Sequence, residues 1–310
     1  MIVTNVHDLI GNTPIISFTN NEFEEIPLGS TVYAKLEFLN PGGSVKDRLG
    51  QHLIASGIEK GLINSDTTII EPTAGNTGIG VALAALKYKL KTIFVVPEKF
   101  SQEKQDLMTA LGAQIVHSPT EEGIKGAIAK AKELDNKIEN SYLPLQFEND
   151  DNPDTYYKAM GPEITKDLND EIDSFVAGVG SGGTFSGLGK YLQEKIADIR
   201  LIGVEPVGSI LNGGQSHGHE IEGIGVEFIP KFFQSLDIAG YETVSDQEGF
   251  DMTRKLASTH GLLVGSSSGA AMVAALREAS KLPQGSKILT IFPDGGEKYL
   301  SKDIYKREEY

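Results

Sequence analysis

Cysteine is absent from this 310-residue chain. Its absence excludes disulfides, thiolate metal sites and cysteine nucleophiles together. Histidine is scarce, with six residues in all. The nearest pair, His217 and His219 in "SHGHE", has no accompanying helix motif of carboxylate and histidine, so it reads as a polar loop rather than a metal site. Basic residues number 28 against 43 acidic, a net charge of −15, which disfavours a nucleic-acid backbone or an anionic membrane as partner. No uninterrupted apolar run is long enough to span a bilayer. The N-terminal "MIVTNVHDLIGNTPI" has no charged leader followed by an apolar run, so no secretory signal is visible and a cytoplasmic protein is expected. Repeats and low-complexity tracts are lacking too. Demanding chemistry therefore points to an organic cofactor.

What is present describes an ordinary globular chain, 39% hydrophobic and 23% charged, long enough for a large core and for two lobes around a cleft. Short apolar runs rich in β-branched residues alternate with helical patterns. "TTIIEP", "TIFVVPE" and "AQIVHS" read as strands in the first half; "SFVAGVG", "RLIGVEP" and "KILTIFPD" do so in the second. "GVALAALKYKL", "FSGLGKYLQEKI" and "AAMVAALREASKL" read as helices between them. Buried parallel strands joined by helices follow from this alternation, an α/β architecture. The acidic stretch "FENDDNPDTYY" suggests a lobe boundary near Gln146.

One lysine stands where a cation is least welcome. In "LNPGGSVKDRLGQHLIASGIEKG" the apolar residues Leu49, Leu53, Ile54, Gly57 and Ile58 have helical spacing, and Ser44 with Asp47 resembles a capping box. Lys46 then falls in the first helical turn, facing the positive end of the helix dipole, which favours the neutral and nucleophilic amine.

Several small-residue loops lie where strands run into helices, the usual ligand edge of such sheets. "TAGNTG" follows "TTIIEP", "GVGSGGT" follows "SFVA", and "GSSSGA" opens a helix. "GSGGTFSG" can cradle a phosphate on its amides. Gly178, Gly180 and Gly183 also satisfy a dinucleotide fingerprint, with Glu205 at the end of the next strand as a ribose-binding acid. That rival, a dinucleotide-binding module without catalysis, leaves Lys46, Asn76 and the serine loop unexplained. No Gly-Lys-Ser/Thr follows, so the loop is not a Walker loop. A small phosphorylated cofactor, held covalently by Lys46, accounts for more of the residues.

"IGNTPI", "KLEFLNPGGSVKDR", "EPTAGNTGIG", "QFEN", "GVGSGGT", "EGIGVEFIP", "GLLVGSSSGA" and "FPDGGEKYL" occur in the order found in the cysteine synthase and cystathionine β-synthase family. The chain resembles that family over almost its whole length. Its members depend on pyridoxal 5′-phosphate (PLP) and belong to the β-family, or fold type II. The resemblance implies a two-lobed α/β fold, each lobe a mostly parallel sheet flanked by helices. Residues 1–45 with 146–310 would form the larger, PLP-phosphate-binding lobe, and residues 46–145 a smaller, mobile lobe for the substrate carboxylate.

By resemblance, Lys46 bonds to PLP and later takes the substrate Cα proton. Gly180, Ser181, Gly182, Gly183 and Thr184 would hold the phosphate, and Asn76 the ring hydroxyl. Ser267 would meet the pyridine nitrogen, with Ser268 as the adjacent alternative or a helix cap. A serine is too weak an acid to keep that nitrogen protonated, which favours loss of a β-substituent over transamination. Thr73, Gly75, Asn76, Thr77 and Gln146 would bind the amino-acid carboxylate. Two positions depart from the family: Ala74 stands where serine is common, removing a hydroxyl near the substrate, and His260 replaces a more usual acid.

The implied reaction is β-replacement on O-acetylserine or serine through an aminoacrylate. The nucleophile turns on "EGIGVEFIP". Many cysteine synthases have glycine at the position of Glu227, whereas cystathionine β-synthases commonly carry an acid two residues after the Gly-Ile-Gly turn that Gly223 opens. Such a carboxylate suits the ammonium of homocysteine. Cystathionine from homocysteine is therefore expected ahead of the alternative, cysteine from sulfide. A homodimer is expected, serine acetyltransferase is a candidate partner, and the chain's end soon after "FPDGGEKYL" implies a compact bacterial-type enzyme without a regulatory domain or haem.

Overall fold

The computed structural model describes residues 2–73 and 75–306. Its strands are β1 (Ile15–Phe18), β2 (Thr31–Leu36), β3 (Thr68–Pro72), β4 (Lys91–Pro97), β5 (Gln114–Ser118), β6 (Ser141–Tyr142), β7 (Ser174–Gly178), β8 (Arg200–Pro206), β9 (Gly240–Val244) and β10 (Lys287–Phe292). The helices are α1 (Lys46–Glu59), α2 (Asn76–Lys87), α3 (Gln102–Ala110), α4 (Gly123–Lys137), α5 (Asp151–Thr155), α6 (Gly161–Leu168), α7 (Gly183–Lys195), α8 (Asp246–His260) and α9 (Ser266–Lys281). Among the described residues no helix is long and apolar enough to cross a membrane.

The chain divides into two compact units. The first comprises the described residues up to Ile10 and from Asn40 to Thr155; the second runs from Gly11 to Leu39 and from Tyr156 onward. The division therefore differs from the boundaries expected from the sequence. It falls inside "FENDDNPDTYY", at a π-helical turn over Tyr156–Met160, and hydrogen bonds explain why Gln146–Thr155 side with the first unit. Glu71 accepts the amides of Leu145 and Gln146 at 2.8 and 3.1 Å. Asp151 accepts from Ser56 at 2.9 Å and from Lys60 at 2.7 Å. Residues 40–45 join the same unit, in which Gly42 donates to Asp47 at 2.5 Å.

The first unit is built on a four-stranded sheet of order β5-β4-β3-β6, all parallel. Every residue of β3 is buried, as a strand covered on both faces requires. Ile70 and Val95 pack with Ala127 and Ala131 of α4. The second unit has a six-stranded sheet of order β1-β2-β10-β7-β8-β9, parallel except for β1. Its core joins the sheet residues Val32, Val176, Val204 and Ile288 to Met272, Ala275 and Leu276 of α9.

His260 acquires a structural account. It ends α8, stacks on Phe23 with ring centroids 5.3 Å apart, and meets Phe18 edge-on at the same separation. An acid there would place charge against two rings and at the negative end of the helix dipole.

Candidate active site

In the first unit the sharp turn "NPGGS" delivers the chain into α1, whose first residue is Lys46, partly buried. The expected capping box is rewired. The Lys46 amide donates to the Ser44 hydroxyl at 3.2 Å, while Asp47, fully buried, reaches back past Ser44 to the Gly42 amide. The carboxylate thereby fixes the glycine turn ahead of the lysine, in place of the reciprocal bond to the cap residue.

Two glycines let α1 and α2 meet backbone to backbone. A Cβ on Gly50 would stand 2.1 Å from the Gly80 carbonyl oxygen, and one on Gly80 would stand 2.2 Å from that of Lys46. This contact sets the start of α1 beside α2, whose N-terminus carries the "TAGNTG" loop. There the Thr73 hydroxyl accepts the amides of Gly75 and Gly78 at 3.3 and 3.2 Å. The Thr77 hydroxyl donates to Gln146 Oε1 at 2.8 Å. Gly75 is the N-cap of α2 and offers no side chain of its own, so Thr73 takes the Gly78 amide in its place; a helix start of this kind suits an anionic group. The structure thus brings Thr73, Gly75, Asn76, Thr77 and Gln146 together at the carboxyl end of β3; Ala74 lies outside the described residues.

Two residues of this region were not singled out by the sequence. Lys104 of α3 is 3% exposed, and a Cβ on Gly75 would lie 3.6 Å from its Cδ and 3.8 Å from its Nζ. Glu71, fully buried, carries the loop of Gln146. The available signal was chemical: an acid inside an apolar strand, and a lysine in the first turn of a largely polar helix, beside the buried positions Gln105 and Met108.

In the second unit β7 runs through Val179–Gly182 into α7. Gly182 has φ of 85°, the left-handed region that glycine enters without strain. A Cβ there would also meet Pro230 at 2.7 Å, and one on Gly180 would meet the Gly223 carbonyl at 2.3 Å. The glycine loop therefore lies directly against the Gly223–Pro230 segment, fastened by the Gly225 amide to the Val179 carbonyl at 2.8 Å. Among the described residues, the amides of Gly182, Gly183 and Thr184 have no hydrogen-bond partner. Ser181 completes this N-terminal cradle, which suits a phosphate.

Gly265 is the N-cap of α9, so Ser268 lies within the first turn and does not cap it. Ser266, Ser267 and Ser268 are all buried. The Ser266 hydroxyl accepts the Glu222 amide at 3.4 Å, and the buried Ser268 hydroxyl has no hydrogen-bond partner among the described residues. The Ser267 hydroxyl makes no hydrogen bond among the described residues, as expected of a side chain placed for a ligand. Both the phosphate cradle and this hydroxyl fit PLP.

Glu205 removes the ribose reading. It is buried, with Oε2 accepting the Leu211 amide at 2.8 Å and Oε1 accepting the Asn212 amide and the Thr243 hydroxyl, each at 3.1 Å. Its acceptor capacity serves the loop after β8. Glu227 is exposed between buried Val226 and the exposed Phe228 and Ile229, on the segment that rests on the glycine loop. His217 and His219 face the carbonyls of Gly218 and Ile221, each at 2.9 Å. Elsewhere His52, Asp151 and Asp154 approach one another closely enough to share an ion, but Asp151 already holds Lys60 and Ser56.

Residues 6–294 match the family described as pyridoxal-phosphate dependent enzyme. A cysteine synthase of Helicobacter pylori is 66% identical over 305 residues, covering 98% of this chain and 99% of its own. An O-acetylserine dependent cystathionine β-synthase of Bacillus subtilis is 52% identical over 305 residues, with 98% of both chains covered. The crystal structure of an O-acetylserine dependent cystathionine β-synthase from Helicobacter pylori superposes with a TM-score of 0.97 at 66% identity, covering 99% of this chain and 100% of that one.

Proposed function

The chain belongs to the pyridoxal-phosphate dependent enzyme family, as an α/β enzyme of the cysteine synthase and cystathionine β-synthase type, and from that premise we propose that it joins O-acetylserine to homocysteine, giving cystathionine. PLP, when bound, supplies the electron sink that lets a Cα proton leave and a β-substituent be replaced. The remaining work falls to this chain's residues. Lys46 Nζ holds the cofactor covalently and takes the Cα proton. The amides of Gly180–Gly183 and the Thr184 hydroxyl hold the phosphate, and Asn76 orients the ring. Ser267 offers the ring nitrogen a weak acid, which steers toward β-replacement. Thr73, Gly75, Asn76, Thr77 and Gln146 take the substrate carboxylate, with the Lys104 ammonium lending positive charge.

Relatives bearing both names are equally consistent with β-replacement, so the nucleophile rests on one observation. Glu227 is an exposed carboxylate on the segment seated against the expected phosphate loop, where Gly180 meets the Gly223 carbonyl. A carboxylate there binds the ammonium of homocysteine, which sulfide lacks. Replacing Glu227 with glycine should raise KM for homocysteine and leave the sulfide reaction unchanged or faster. A charge-assisted hydrogen bond is worth roughly 1.5–3 kcal/mol, and exposure favours the lower end, so the specificity ratio should fall about tenfold. The measurement is the ratio of kcat/KM for homocysteine and sulfide with O-acetylserine as donor. An unchanged ratio would make Glu227 a bystander and put cysteine synthesis first.

A further inference from the structure

Glu71 has no role in the chemistry described so far, yet it touches the loop that does. It lies on β3 two residues before Thr73, with no exposed surface. Its Oε2 accepts the Leu145 amide at 2.8 Å and its Oε1 the Gln146 amide at 3.1 Å. Leu145 has φ of 52°, a left-handed conformation that a leucine keeps only where its surroundings impose it. Beyond that turn, Asn152 Nδ2 donates to the Gln146 carbonyl at 2.8 Å and Thr77 donates to the Gln146 side chain at 2.8 Å. We propose that ionised Glu71 is a positioning residue, which clamps the strained Leu145–Gln146 turn so that Gln146 meets Thr77 in the substrate-carboxylate loop.

The clamp needs both oxygens as acceptors. A protonated carboxyl turns one of them into a donor, facing an amide that is itself a donor, and one of the two bonds is lost. Burial pushes the Glu71 carboxyl up to about 7, with the two amides pulling the other way. Tyr142, from β6, is the titratable side chain that its charge reaches. No lysine or arginine among the described residues acts on it, whether from the neighbouring strands or from the helices packed on them. The loop therefore tightens as pH rises through about 7. Stability moves the opposite way. A carboxyl raised above its unfolded value of 4.5 stabilises the fold below that pH, and the contribution is lost as pH rises through about 7.

The inference rests on the reading of Thr77 and Gln146 as ligands of the substrate carboxylate, and the test separates the two. In the holoenzyme, Glu71→Gln keeps the shape and one acceptor. It should raise KM for O-acetylserine about tenfold above neutral pH, with kcat within about twofold, because one charged hydrogen bond to the loop is lost. The wild-type KM should fall as pH rises across neutrality, and that dependence should vanish in Glu71→Gln. Thermal unfolding read in parallel should show wild type losing stability relative to the variant as pH rises from about 4.5 to about 7. A structural role alone would change melting without the KM profile. Gln146→Ala should also raise KM; if it does not, the carboxylate reading itself fails. If Gln146→Ala raises KM while Glu71→Gln keeps the wild-type KM and pH profile, Glu71 is not the clamp. Should Glu71→Gln not fold, a wild-type KM without an ionisation near neutrality overturns the proposal.

Discussion

Lys46→Ala is expected to fold normally and to lose turnover by at least about a thousandfold, since general-base and covalent contributions vanish together. The fold should survive because Lys46 is the first residue of α1, only partly buried, and the contacts that seat the helix are made by its backbone and by Asp47. Alanine also suits a helix start. The variant should keep the phosphate cradle at α7 and bind PLP without a covalent bond. Steady-state rates with O-acetylserine and either thiol, beside a melting curve, decide it. Retention of substantial β-replacement activity would remove Lys46 from the chemistry.

Gly80→Ala should produce the largest loss of stability. In an ordinary helix interior this change stabilises by roughly 1 kcal/mol. Here the new methyl group would stand 2.2 Å from the Lys46 carbonyl oxygen and 3.0 Å from the Asp47 amide, and no rotation of a side chain relieves a clash with backbone. The start of α1 must move off α2, at a cost on the order of 3 kcal/mol. Gly50→Ala meets the Gly80 carbonyl from the other side and should act alike. Because Lys46 heads α1 and Asn76 heads α2, the same displacement should lower kcat at temperatures where the variant is still folded. Denaturant unfolding checks the sign: a variant as stable as wild type, or more so, would mean that the close crossing is not needed.

The central strands were readable in the sequence and the edges were not. β3, β7, β8 and β10 are apolar runs, buried nearly throughout, so composition alone marks them. β9 and β5 are largely half-exposed and β6 is two residues long. Of these, only β5 announced itself. β2 was hidden by Lys35, a fully buried charge, matched by the Thr13 carbonyl at 2.6 Å and by Glu163 at 3.2 Å.

The site divides along the same line. The glycine, threonine and serine residues of "TAGNTG", "GSGGT" and "GSSSG" lie at helix starts, a placement that local sequence displays and that suits anionic groups. Glu71 and Asp47 work through partners that the sequence does not display: Glu71 holds amides 74 and 75 residues away. The capping box at Ser44 failed for a related reason, since Asp47 found a better donor in the glycine turn.

The identity of the lysine that holds the cofactor is the most direct test. Wild-type protein loaded with PLP, reduced with borohydride and digested, should carry a phosphopyridoxyl group on the peptide containing Lys46. Lys104, buried beside Gly75, and Lys35, buried in β2, are internal controls that should remain unmodified. A label on either of them, or none on Lys46, would contradict the account.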